Sequence, residues 1–187
     1  MLVNNKGLSS RKRPWQCLRP DFLTDSVAEI DFTYLQHAGV RAVFIDLDGT
    51  VVARGSFKVP AKTRRALRVQ PLAVYIATNR PKSRDLKNLK NDLHASGVIH
   101  PSGIWAKPTR RYYRSALRTL KLQPQEVAMV GDRYVQDVLG ANGAGLRTVM
   151  VQKFDTPVNW FDRLLTSAEA RRNSRLSRRY HQIDRKT

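Results

Sequence analysis

Four short segments of the chain are almost continuously apolar and rich in β-branched residues: Arg41–Leu47, Leu72–Thr78, Val127–Gly131 and Arg147–Gln152. Runs of this length and composition predict strands buried on both faces. A fifth, Gly103–Ala106, is shorter and carries a weaker signal. Between them the apolar spacing changes to a helical period. Ser83–Ser96 places Leu86, Leu89 and Leu93 on one face, with Gly97 as the expected stop. Thr109–Leu122 aligns Tyr113, Ala116, Leu117 and Leu120, Tyr134–Asn142 reads as a short helix, and Ala61–Val69 as a helix opened by Pro60. Strands alternating with helices predict an α/β fold: a single domain with a mainly parallel five-stranded sheet flanked by helices.

In such sheets ligands bind beyond the carboxyl ends of the strands, where the strand order reverses. Each predicted strand runs into polar residues there. The first ends in Asp46-Leu47-Asp48-Gly49-Thr50 and the second in Thr78-Asn79. The weak strand leads to Lys107-Pro108, and the next to Gly131-Asp132 with Asp137 five residues on. Converging carboxylates repel one another unless a hard cation neutralises them, and Mg²⁺ takes oxygen ligands in this way. One cysteine and four histidines, none of them in these segments, give a softer metal little support. A metal and a lysine would hold a phosphoryl group, one carboxylate would attack phosphorus, and a second would carry the leaving-group proton.

The segments FIDLDGT, YIATN, AKP and VGDRYVQD resemble, in order, the four motifs of the haloacid dehalogenase (HAD) superfamily, whose core is a Rossmann-like domain. The resemblance implies Asp46 as nucleophile and Asp48 as general acid/base, with the Asp48 main-chain carbonyl also on the metal. It places Thr78, Asn79 and Lys107 at the substrate, and Asp46, Asp48, Asp132 and Asp137 around Mg²⁺. A second aspartate at position 48 favours phosphoryl transfer over dehalogenation. Thr50 and Thr78 are separated by 27 residues, as are Asn79 and Lys107, so neither interval has room for a cap domain. Leu18-Arg19-Pro20-Asp21-Phe22, Lys107-Pro108 and Asp137–Asn142 are similar to the capless subfamily IIIA phosphatases of the YqeG type. These are related to phosphatidylglycerophosphate phosphatases, which implies a phospholipid phosphomonoester as substrate. The chain departs from that pattern at Gly49 and at Thr78-Asn79-Arg80.

Charge adds a second theme. The net charge is +19 on 187 residues, and the first 20 residues hold five Lys/Arg and no acid. This suits an anionic partner: a phosphorylated substrate, an anionic membrane touched peripherally, or nucleic acid. A nucleotide or nucleic-acid-end phosphatase, and a catalytically idle basic binding module, therefore stand as alternatives. The expected organisation is a basic extension over 1–20, the phosphatase domain over 21–153 and a basic helical tail over 154–187. In that tail Leu165, Ala168, Leu176 and Ile183 fall among five arginines, as in segments that lie on bilayers. Trp15, Trp160 and Phe161 are candidate interfacial anchors. No run approaches the roughly 20 apolar residues of a membrane span. The single cysteine allows no internal disulfide, which favours a reducing, cytoplasmic setting, peripheral to the membrane if the lipid reading holds. The Arg/Ser-bearing start is also compatible with organellar targeting, although Gly7 and Pro14 interrupt the amphipathic helix such segments form.

Overall fold

The computed structural model describes residues 19–101 and 105–151. The strands are β1 (Phe22–Thr24), β2 (Ala42–Ile45), β3 (Ala73–Ala77), β4 (Gly97–Ile99), β5 (Val127–Gly131) and β6 (Arg147–Val151). The helices are α1 (Phe32–His37), α2 (Ala61–Val69), α3 (Arg84–Asp92), α4 (Arg110–Leu120) and α5 (Gly140–Ala144). A π-helical stretch, Tyr134–Leu139, leads into α5. All pairings are parallel, in the order β1-β6-β5-β2-β3-β4. Among the described residues the sheet thus has six strands rather than the expected five. The two that the pattern did not single out, β1 and β4, are three-residue strands, half-buried along their length and too short to show a period. The expected strand Gly103–Ala106 and the basic extension over 1–20 reach outside the described residues, and the tail over 154–187 lies wholly outside them.

The pleat sorts side chains between two cores. Val43, Ile45, Val74, Ile76, Ala128 and Val130 face a cluster that includes Phe32, Leu35, Leu67, Leu86 and Leu89 of α1, α2 and α3. Phe44, Ala77, Val127 and Met129 face Tyr112, Tyr113, Ala116 and Leu117 of α4 and Ala141 of α5. Strand β2 is central and wholly buried. Phe44 stacks edge-on against Tyr75, with centroids 5.9 Å apart. Truncating such a residue to alanine costs about 3–5 kcal/mol.

Helix α3 stops earlier than Gly97. Asp92 is its last residue, His94 takes a left-handed φ of 52°, and Ala95 N–H closes on the Lys90 carbonyl at 2.9 Å. Gly97 instead opens β4. The interval from Thr50 to Thr78 holds α2 and β3, and that from Asn79 to Lys107 holds α3 and β4. Among the described residues neither contains a further domain.

Helix α4 begins three residues after Lys107, capped by the Thr109 hydroxyl, which accepts from Tyr112 N–H at 3.4 Å. It contains no acidic residue. Arg110, Arg111, Arg114, Arg118 and the C-cap Lys121 are all exposed. At 3.6 residues per turn they occupy about 100° of the helix circumference, opposite the buried tyrosines. Arg111 lies over the Trp105 ring, 4.2 Å from its centroid.

Candidate active site

The chain runs outward from β2 through β3 to β4 on one side of the sheet, and through β5 and β6 on the other. The order therefore reverses between β2 and β5, and at such a point the connections diverge to leave a crevice. Ile45 pairs with Val130, and Asp46 N–H donates to the Val130 carbonyl at 2.8 Å. The main-chain ladder thus holds Asp46 beside the end of β5, where Asp132 stands. Asp137 is returned to the same point by the π-helical stretch, and its Oδ2 accepts from Arg133 N–H at 3.2 Å. One oxygen each from Asp46, Asp132 and Asp137 lie within 4.8 Å of one another, and all three residues are buried.

Two glycines let the carboxylates come this close. A Cβ at Gly131 would stand 2.4 Å from Asp137 Cγ, and one at Gly49 would stand 2.7 Å from Asp132 Oδ2. Gly49 also has φ +84°, a conformation costly for any residue with a side chain. This turn brings Thr50 inward. Its hydroxyl lies 3.5 Å from Asp46 Oδ2 and 3.4 Å from Asp132 Oδ1.

Lys107 supplies the positive charge. Its Nζ donates to Asp46 Oδ1, and to Asp137 Oδ1 at 2.9 Å, with the side chain 1% exposed. Burial alone would lower the ammonium pKa, but Asp137 and Asp46 outweigh it and hold the group well above its usual value. Asp46 shows the reverse balance. Burial, reinforced by the Asp137 charge, outweighs Lys107 and raises its carboxyl from 3.8 to about 6. The Asp46 carboxylate is therefore costly to ionise until a further cation arrives. Three oxygen donors at this spacing fit a hard divalent cation such as Mg²⁺.

The remaining expected residues divide. Thr78 is buried at the end of β3, and its hydroxyl accepts from Arg80 N–H at 3.0 Å, leaving its own proton to donate. Asn79 uses both ends of its amide on Lys107. Its Oδ1 accepts from Lys107 N–H at 3.0 Å and its Nδ2 donates to the Lys107 carbonyl at 3.2 Å. The Asp48 carboxylate lies outside the three-acid cluster. Arg80 donates to it from Nε at 2.7 Å and from Nη2 at 2.5 Å, and Gly55 N–H donates at 3.0 Å. Partial burial pushes Asp48 up, but the Arg80 and Gly55 hydrogen bonds win and leave its carboxyl below the usual range. Thr50 and Arg80 were not among the residues expected at the site. Thr50 had a signal, its place in the turn four residues after Asp46, whereas nothing in the linear sequence ties Arg80 to Asp48.

The upstream residues Arg19–Phe22 and the segment ending in Asn142 meet away from the carboxylates. Asp21 Oδ2 accepts from Thr148 N–H at 2.9 Å, and Asn142 Nδ2 donates to the Arg19 carbonyl at 2.9 Å. These contacts pin β1 to β6 and α5.

Comparison with known proteins agrees with this architecture. A HAD-hydrolase-like family profile matches residues 104–157. The chain is 24% identical over 173 residues to a probable phosphatase, YqeG, of Bacillus subtilis, covering 87% of this chain and 93% of that one. It is 41% identical over 49 residues to the phospholysine phosphohistidine inorganic pyrophosphate phosphatase of Danio rerio, covering 26% of this chain and only 18% of that protein. An uncharacterized protein from Listeria monocytogenes shares the fold, with a TM-score of 0.51 and 15% identity over 64% of this chain and 85% of its own. The parallel sheet and the ordered aspartates at the strand ends go with these likenesses, which make the chain similar to HAD-type hydrolases, a probable phosphatase among them.

Proposed function

We propose that the chain hydrolyses phosphomonoesters with Mg²⁺, through an aspartyl-phosphate on Asp46. The reading is carried by one observation: Asp46, Asp132 and Asp137 converge with Lys107 at the reversal point of the sheet. Asp46, Asp132 and Asp137 would hold the cation, with the Asp48 main-chain carbonyl as a further donor. Bound there, Mg²⁺ would offset carboxylate repulsion and the charge on the phosphoryl oxygens. Lys107 and the Thr78 hydroxyl would orient those oxygens, and the α4 N-terminus would favour the anion. Asp46 attacks phosphorus, the bond to the leaving oxygen breaks, and Asp48 gives that oxygen a proton. Asp48 then takes a proton from water as the water oxygen attacks phosphorus. Inorganic phosphate leaves and the Asp46 carboxylate is restored.

For the substrate we infer a phospholipid phosphomonoester of the phosphatidylglycerophosphate kind. Likeness to YqeG-type phosphatases and the +19 net charge support this. In this reading the basic segments 1–20 and 154–187 flank the catalytic domain and hold it against an anionic membrane from the cytoplasmic side. No described helix is long and apolar enough to cross a membrane.

The test is a substrate panel with and without Mg²⁺. Phosphate release from phosphatidylglycerophosphate vesicles should exceed that from nucleotides and 3′-phosphorylated DNA, and Asp46→Asn should abolish it while the protein still melts cooperatively. Preference for nucleic-acid ends would replace the lipid assignment. Full activity of the Asn variant would remove Asp46 from its role.

A further inference from the structure

The two ends of the sheet differ in charge. All pairings are parallel, so the loops after β2, β3, β4 and β5 lie at one end, around the carboxylate cluster. Those loops and the first turns of the helices they enter expose Arg54, Lys58, Lys82, Arg84, Arg110 and Arg111. Outside the site itself, Asp85 is the one acid among their described residues. At the opposite end cations are paired off, Arg41 with Glu126 at 3.0 Å and Arg68 with Asp92 at 2.7 Å. The loop after β1 carries Asp25, Glu29 and Asp31, but β1 lies beyond β6, two strands from β5.

Exposed apolar side chains interrupt this cationic lip at two points. Phe57, 36% exposed, belongs to the loop after β2, and its ring centroid lies 4.6 Å from the guanidinium carbon of Arg80. Val135, 37% exposed, follows β5 two residues before Asp137. The strand order reverses between β2 and β5, so one such side chain belongs to the loop on each side of the crevice. The other large apolar side chains exposed among the described residues are Tyr34 on α1 and Val69 at the end of α2, where the chain has crossed to the opposite end of the sheet.

From this placement we infer that the lip of the crevice is itself a docking surface for an anionic phospholipid bilayer. Cations there meet headgroup phosphates, while the apolar tips of Phe57 and Val135 reach toward the acyl boundary. A nucleic-acid strand would be served by the cations and by Phe57, on which a base can stack, but Val135 offers no ring to a base. Docked this way, the crevice opens onto the headgroup layer, and a lipid phosphomonoester reaches Asp46 without leaving the membrane. The inference rests on the lipid reading of the site for its purpose, though not for its geometry. It gives the domain an orientation that the basic segments 1–20 and 154–187 alone would not fix.

The experiment sediments the full chain with vesicles of equimolar phosphatidylglycerol and phosphatidylcholine. Two matched variants each lose one cation and one exposed apolar side chain: Lys58→Gln/Val135→Ser at the lip, and Lys121→Gln/Val69→Ser at the opposite end. The lip variant should bind roughly tenfold more weakly, and the other should change less than about twofold. The same preparations are then assayed on phosphatidylglycerophosphate in vesicles and on its dihexanoyl form, a monomer in water. The ratio of the two rates does not depend on the folded fraction, so partial misfolding cannot imitate the result. In the lip variant the vesicle rate should fall roughly tenfold against the monomer rate, while the other variant keeps the wild-type ratio. Equal weakening in both variants, or none in either, would mean that bulk charge or the terminal segments hold the protein, and the inference falls. Lip-dependent binding of a single-stranded oligonucleotide, with no binding of vesicles, would overturn it as well. If neither form of the lipid is hydrolysed while vesicle binding still depends on the lip, the lipid-substrate reading falls and the docking surface stands.

Discussion

Replacing Lys107 by methionine removes the cation from a pocket of buried carboxylates while keeping most of the volume. Lys107 Nζ bonds both Asp46 and Asp137, and oxygens of these acids and of Asp132 lie within 4.8 Å of one another. A unit charge pair at about 4 Å is worth about 4 kcal/mol at the effective dielectric suited to protein sites. Removing one partner of a buried pair costs about 3–5 kcal/mol. At about 2–4 °C per kcal/mol for a chain of this size, metal-free Lys107→Met should melt roughly 10 °C or more below wild type at pH 8. The loss should shrink at pH 5. Asp46 already binds its proton more tightly folded than unfolded, at about 6 against 3.8, and losing Lys107 moves the folded value further up. A folded pKa raised in this way adds stability at low pH that disappears as pH rises through it. Thermal melts in EDTA at the two pH values read the effect directly. An equal loss at both, or none at either, would refute the claim that Lys107 neutralises this pocket.

Mg²⁺ should stabilise the wild type, by about 2.7 kcal/mol at a hundredfold excess over Kd. Because the cation competes with the proton on Asp46, calorimetric affinity should weaken as pH falls below about 6. Gly131→Ala places a methyl group 2.4 Å from Asp137 Cγ. It should cost about 1–3 kcal/mol in stability and weaken Mg²⁺ binding, as read by melting with and without the ion. Asn79→Ala leaves the Lys107 main-chain groups unpartnered. It should lower Tm by roughly 2–10 °C and reduce kcat as Lys107 drifts, measured on an aryl phosphate.

Strands β2, β3, β5 and β6 were legible because both their faces are buried, so their sequences read as unbroken apolar runs. Strands β1 and β4 were not, since three half-buried residues carry no period. The end of α3 was misread at Gly97 because His94 adopts the left-handed turn that glycine usually provides. Asp46, Thr78, Lys107 and Asp132 stood out because a polar residue after a buried strand has few structural reasons to be there. Contacts between loops left no such trace. Asn79 turns to the Lys107 main chain and Arg80 reaches 32 positions back to Asp48, and both depend on how β2, β3 and the strap before α4 sit side by side.

The exposed face of α4 has a kinetic meaning. Its cations begin at the helix end that adjoins Lys107, so an approaching anion meets an attractive field that leads toward the site before any contact is made. Encounter rates with multiply charged esters should then fall steeply with ionic strength, while turnover of substrate already bound hardly changes. The charge of this helix would govern how quickly the enzyme finds its substrate rather than how fast it cleaves it.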